Sequence, residues 1–138
     1  MTSNLVTVSR YRTIYDAYEA MKLNKIRRLP VVDGEKLVGI VSYSDLLEAK
    51  PPNINNKAAT FWEMNHLNAR MIVDFIMTKK PLIIYQTDTV GYAAELMLDN
   101  KIGGLPVLDS NNKLTGLITE SDIFRQLAKK WREDNAQL

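Results

Sequence analysis

The chain carries its own sequence twice. The stretch I-R-R-L-P-V-V-D-G-E-K-L-V-G-I-V-S-Y-S-D-L-L from Ile26 reappears, with Ser110 added, as I-G-G-L-P-V-L-D-S-N-N-K-L-T-G-L-I-T-E-S-D-I-F from Ile102. Upstream, Val6 to Lys25 aligns without a gap to Leu82 to Lys101, pairing Thr13 with Thr89, Ala17 with Ala93, Met21 with Met97 and Asn24-Lys25 with Asn100-Lys101. More than a third of the aligned positions are identical, and most others exchange one apolar residue for another. Two such copies must share one fold. Each is too short, at roughly 45 residues, to bury an adequate core alone, so the copies are expected to pack on each other.

Each copy reads β-α-β-β-α. A short apolar run comes first, Leu5 to Val8 or Leu82 to Ile84. A helical pattern follows, with Ile14, Ala17, Met21 and Leu23 near one face, or Val90, Ala93, Ala94, Met97 and Leu98. Thr13 and Thr89 stand where N-caps would. Two β runs come next, Leu29 to Val32 and Lys36 to Ser42, around the hairpin signal Asp33-Gly34. Asp109-Ser110-Asn111-Asn112 is equally turn-like. Ser44 and Ser121 are expected to open a second helix. The predicted class is α+β (α/β), with repeats at residues 1–50 and 71–138 and a connector at 51–70.

The connector begins with the turn-rich Pro51-Pro52-Asn53-Ile54-Asn55-Asn56. Phe61 to Met77 is apolar at mixed spacing and predicts one or two helices, read as core filler around Phe61 and Trp62 in preference to a partner-docking helix. Near the C-terminus Lys129, Lys130 and Arg132 surround Trp131, but Glu133 and Asp134 dilute the charge. That predicts a solvated helix end with Trp131 half-buried rather than a grip on nucleic acid.

The sharpest motif is G-h-h-[ST]-x-S-D, where h is apolar. It occurs as Gly39 to Asp45 and as Gly116 to Asp122, at the exit of a strand and the start of a helix. Free N–H groups and the positive helix end attract phosphate there. The hydroxyls of Ser42, Ser44, Thr119 and Ser121 can donate to phosphate or ribose oxygens, and an ionised Asp45 or Asp122 can accept both hydroxyls of a cis-diol. The competing reading is ordinary helix chemistry, a Ser N-cap with Asp in the first turn. The residues alone leave both readings open.

Composition removes other classes. The balance of 18 Lys and Arg against 16 Asp and Glu gives a net charge of +2, which argues against a nucleic-acid partner. With no cysteine there are no disulfides, thiolate zinc sites or cysteine nucleophiles. His66 is the one histidine, and no Ser-His pairing, P-loop, G-x-G-x-x-G or metal-ligand spacing is present. Asp74, Asp88 and Asp99 read as caps or solvated positions. A protein without catalytic or metal-binding residues is expected. No apolar run approaches the ~20 residues of a membrane span, and MTSNLVTVSR lacks the apolar region of a signal peptide. The expected setting is the cytoplasm, without a membrane partner.

Taken together, tandem L-P-V-h-D followed by K-L-h-G-h-h-[ST]-x-S-D resembles a pair of CBS domains, the Bateman module, over residues 1 to about 128. Asp74-Phe75-Ile76-Met77-Thr78 and Thr87-Asp88-Thr89-Val90 resemble the family's usual opening of a repeat. The connector F-W-E-M-N-H-L-N resembles small bacterial or archaeal CBS-pair proteins of the acetoin-utilisation type. The resemblance implies repeats related by a pseudo-twofold axis and packed through their sheets. It implies two clefts that bind adenosine-containing ligands, here AMP, ADP or ATP as regulatory ligand, and an effector protein of unknown identity. It also implies a homodimer formed through the helices after Ser44 and Ser121, with Leu46, Leu47, Ile123, Phe124 and Leu127 at its centre. Met1-Thr2 aligns with Met77-Thr78, so the leading helix of copy one is absent from this sequence, which is expected either to be trimmed from a longer chain or to begin there.

Carried over by position, Asp45 and Asp122 correspond to the family's ribose-binding aspartate, with Ser42 and Thr119 three residues before it and Ser44 and Ser121 beside it. Adenine contacts fall on Thr7, Val8, Ile26 and Leu29, and on Ile83, Ile84, Ile102 and Leu105. Arg27 and Arg28 match a basic position that reaches nucleotide phosphates; copy two has Gly103-Gly104 instead. The alternatives are a dimerisation scaffold without nucleotide, or S-adenosylmethionine as the ligand.

Overall fold

Short polar caps set the helix boundaries. In the computed structural model, which describes residues 5–49 and 71–135, strand β1 (Val8–Ser9) leads to Thr13. The Thr13 hydroxyl accepts the Asp16 amide at 3.1 Å, and the Asp16 carboxylate accepts the Thr13 amide at 3.2 Å. This reciprocal box satisfies two amides that a helix start leaves unpaired, and α1 (Ile14–Asn24) begins there. Lys25, in the left-handed region at φ 54°, ends it. Strands β2 (Arg28–Asp33) and β3 (Lys36–Ser42) form the predicted hairpin through Gly34, whose φ of 62° suits a residue without Cβ. Helix α2 (Tyr43–Glu48) follows. A single 3₁₀ turn, Val73–Phe75, and strand β4 (Thr78–Lys79) come next.

The second copy repeats the plan with β5 (Ile84–Tyr85), α3 (Val90–Asn100), β6 (Gly104–Leu108), β7 (Leu114–Thr119) and α4 (Glu120–Asp134). Thr89 caps α3 by accepting the Tyr92 amide at 3.1 Å. Among the described residues two sheets result, β1-β2-β3-β4 and β5-β6-β7, in which only β1–β2 and β5–β6 are parallel. The α+β class is as expected. Val6–Pro81 form one compact unit, and Leu82–Leu138 the body of the other. Each has its own apolar cluster, built from equivalent residues: Ala17, Met21, Leu29 and Val31 in the first, Ala93, Met97, Leu105 and Val107 in the second.

The segment 71–81, which the expected boundary at 71 assigns to copy two, packs in the first unit. The Ile14 amide donates to the Met71 carbonyl at 2.8 Å, and the amides of Val73 and Asp74 donate to the carbonyls of Arg12 and Arg10 at 2.8 and 3.0 Å. Val73 and Met77 join the first cluster, and β4 pairs with β3 through Gly39↔Lys79 and Ile40↔Thr78. Arg10 ties the arrangement from outside, reaching Asp74 at 2.8 Å and Asp33 at 3.3 Å. The Asp74 hydrogen bond above all raises the Arg10 pKa over its ordinary value.

Several expectations need correction. Leu23 and Leu98 are exposed, because the buried face of α1 runs Ile14–Ala17–Met21 and that of α3 is Ala93–Met97; Leu23 and Leu98 lie around the helix from those stripes. Trp131 is 65% exposed rather than half-buried, since α4 buries none of its residues. Leu46, expected at a dimer contact, is buried in the first unit's own core. The helix expected through Met77 is, in its described part, one 3₁₀ turn. The connector at 51–70, with Phe61, Trp62, His66 and the acetoin-type segment, lies outside the described residues.

Gly39 allows the close approach of β4. A Cβ there would stand 2.6 Å from Met77 Sδ and 2.8 Å from the Thr78 carbonyl oxygen. Gly39→Ala is expected to destabilise the first unit by ~1–3 kcal/mol, the usual cost of overpacking. The urea midpoint measures it, and an unchanged midpoint would mean that β4 does not seat on β3 as described.

Candidate functional site

The repeated motif folds as a strand-to-helix junction held by its own side chains. Ser42, not Ser44, is the N-cap of α2. Its hydroxyl accepts the Asp45 amide at 3.1 Å, and Asp45 Oδ2 accepts the Ser42 amide at 2.8 Å. The Tyr43 amide donates to the Arg27 carbonyl at 2.7 Å. In copy two the cap is Thr119 rather than Ser121. Asp122 Oδ2 accepts from the Thr119 amide at 2.9 Å and from its hydroxyl at 3.1 Å, and the Glu120 amide donates to the Gly103 carbonyl at 3.3 Å. The cap falls two residues earlier than expected because Asp must occupy the third helical position to reach back to the cap amide.

This changes the anion chemistry read from the sequence. The amides of Ser42, Tyr43 and Asp45 are already paired, so the free N–H groups expected at the first junction are largely consumed. The exposed hydroxyls of Ser44 and Ser121 remain. Arg27 is exposed and Arg28 half-buried, and neither makes an ion pair with a described residue. Arg28 lies opposite Ser42 in the β2–β3 ladder, which puts it beside the junction.

The two aspartates differ in what they have left to offer. Asp45 is half-buried and spends Oδ2 on the cap; among the described residues, Oδ1 has no partner. The Asp122 side chain is 7% exposed, and its Oδ1 accepts Arg125 Nη1 at 3.0 Å. Glu48 stands at the equivalent place in copy one.

Of the expected adenine contacts, Leu29 and Leu105 are 0% exposed and belong to the two cores, where the hairpin packs on α1 or α3. Both side chains are packed into the cores, which leaves them no exposed surface in this structure. Val8 is buried in the first cluster as well. Thr7 is exposed, and Ile26, Ile83 and Ile102 are half-buried. Ile84 and Asp122 meet in one place. They line a cavity of about 220 Å³ in the second unit, with Val107 and Ile118 as apolar wall and Gln86, Asp88, Thr89 and Gln126 as polar wall. Sequence reading missed most of this lining. Thr87 to Val90 carried a signal, as a repeat opening; Gln126 carried none. In the first unit the equivalent residues Val8, Val31, Val41 and Ala49 share a cluster with Val73 and Met77.

The family profile of the CBS domain matches residues 1–51 and 72–129. The fold and the doubled junction agree with it, and the chain belongs to the CBS-domain family as a tandem pair. It is 35% identical over 131 residues to the CBS domain-containing protein DDB_G0289609 of Dictyostelium discoideum, covering 94% of this chain and 88% of that protein. It is 31% identical over 146 residues to the chloroplastic CBS domain-containing protein CBSX2 of Arabidopsis thaliana. The crystal structure of CBSX2 in complex with AMP superposes with a TM-score of 0.72 at 32% identity, covering 94% of this chain and 91% of that one. The chain spans 61% of the length of CBSX2 and 45% of that of protein MJ1225 of Methanocaldococcus jannaschii.

Removing the cap hydroxyl is expected to cost stability without disturbing the strands. Ser42→Ala should lower the unfolding free energy by ~0.5–2 kcal/mol, the usual range for an N-cap. Thermal melting followed by circular dichroism reads the loss; no change would mean that the box does not hold α2.

Proposed function

We propose that this protein is a non-catalytic regulatory module that senses an adenine nucleotide, AMP, ADP or ATP, through its two CBS repeats. The observation that carries the reading is the doubled junction, in which an aspartate anchored by the cap offers carboxylate oxygen to a ribose diol. The AMP complex of the related CBSX2 supports the same ligand class. In this reading Asp45 and Asp122 take the ribose with Ser42 and Thr119, which also position them. Arg27, Arg28, Ser44 and Ser121 serve the phosphates, and Thr7, Ile26, Ile83, Ile84 and Ile102 the base. Ligand binding shifts a conformational equilibrium only if the states bind it differently, and an effector protein reads the shift. The cytoplasm is the proposed setting. No helix among the described residues is long and apolar enough to cross a membrane.

A homodimer is part of the proposal. Phe124 and Leu127, each 66% exposed, and Trp131 lie on one face of α4 at helical spacing, and Leu47 is exposed on α2. A second copy would cover this apolar face, as homodimer contacts do. Light scattering at micromolar concentration is expected to give twice the chain mass, and Leu127→Asp to give one. A single-chain mass for the unmutated protein would refute the dimer.

Thermal-shift titration tests the ligand. A nucleotide at 100 times its dissociation constant raises the apparent stability by ~2.7 kcal/mol. Asp45→Asn keeps an acceptor for the Ser42 amide but loses the charge, so it should weaken binding while barely changing the melting temperature. Arg27→Ala and Arg28→Ala should weaken nucleotides by ~1.5–3 kcal/mol and leave adenosine nearly unchanged. Stabilisation by S-adenosylmethionine alone would replace the ligand, and stabilisation by none of the four would leave a dimerisation scaffold.

A further inference from the structure

The two units place their cations differently around the same aspartate. The first has Arg27-Arg28 at the start of β2 and Glu48 three residues after Asp45; the second has Gly103-Gly104 and then Arg125 three residues after Asp122. Arg125 is 74% exposed and donates Nη1 to Asp122 Oδ1 at 3.0 Å, while Asp122 Oδ2 holds the cap. Both carboxylate oxygens that a ribose diol would use are therefore engaged in the second unit, whereas Asp45 Oδ1 has no described partner. One helical turn separates Asp122 from Arg125, so a long side chain leaves the carboxylate by rotating about its own bonds, without moving α4.

We propose that Arg125 is the selectivity residue of the second unit, barring the Asp122 diol acceptor to an uncharged nucleoside and turning to the phosphate of a nucleotide. The proposal rests on the nucleotide-sensing reading above. Its physical content is charge balance. A nucleoside that displaces Arg125 leaves the guanidinium unpaired. A nucleotide brings its own anion, so both charges stay compensated: the diol hydroxyls donate to Asp122, and the guanidinium fork donates to phosphate oxygens. Arg125 thus stands in for the arginines that the second repeat lacks. Because Arg125 is itself 74% exposed, water competes for its guanidinium, its hold on Asp122 is weak, and the bar against adenosine amounts to about 2- to 5-fold. The phosphate contact is charge-assisted and contributes about tenfold.

Calorimetric titration of AMP and of adenosine into Asp45→Asn, which weakens the first unit's site, and into Asp45→Asn/Arg125→Gln tests this. The second substitution is expected to weaken AMP about tenfold and to strengthen adenosine about 2- to 5-fold. A purely structural role for Arg125 would shift both ligands in the same direction; that result, or no shift in either, overturns the proposal. If Asp45→Asn alone abolishes all binding while the unmutated protein binds AMP, the sensing reading stands and Arg125 has no such role. If the unmutated protein binds neither ligand, the sensing reading fails and this proposal with it.

Discussion

One hydrogen-bonded box recurs at the point where sheet becomes helix. At Ser42–Asp45 and at Thr119–Asp122, a hydroxyl residue at the strand's last position and a carboxylate three residues on bind each other across the first helical turn. The residue before β2 adds its carbonyl to the next amide. Strand pairing, helix start and the direction of the carboxylate are thereby set together. The aspartate is aimed by the same contact that starts the helix, so no separate device is needed to position it. The same economy limits the site, because amides that serve the box are not available to an anion.

From that shared junction the two copies diverge. In the first unit, residues 71–77 pack onto the core, with Met77 against Gly39 and three backbone hydrogen bonds joining them to Arg10, Arg12 and Ile14. In the second, the equivalent wall, with Ile84, Val107, Ile118 and Gln126, borders a cavity. Charge divides as well, with arginines at the start of β2 that make no ion pair with a described residue in one unit and an arginine on the aspartate in the other. Duplication preserved the frame, in which Leu29, Val31, Leu105 and Val107 are fully or almost fully buried, and left the rim free to change.

The frame was legible because each of its parts is local. Thr13 and Thr89 cap within one turn, Asp33-Gly34 turns within two residues, and alternation marks β3 to its end at Ser42. The doubled motif marked the carboxylates that close the boxes, yet it named Ser44 and Ser121 as caps because any serine near a helix start fits that pattern. Only the geometry of reaching back one turn chooses Ser42 and Thr119. The set expected around adenine divides by burial. Leu29 and Leu105 lie in the cores, a placement the sequence does not show because an apolar residue before proline serves a core and a pocket equally well in one dimension.

By itself the sequence determined that the chain is two copies of one β-α-β-β-α unit, where their hairpins turn, and that an aspartate closes each strand-to-helix junction. These follow from short-range sterics and hydrogen bonding among residues within a few positions of each other. Tertiary structure alone decided which core takes residues 71–81, whether Leu46 faces a core or a partner, and which oxygen of Asp122 remains for Arg125. Such choices depend on what lies across the fold. Gly39 and Met77 meet over a long stretch of chain because a missing Cβ leaves room for a sulfur, and no local pattern in the sequence records that space.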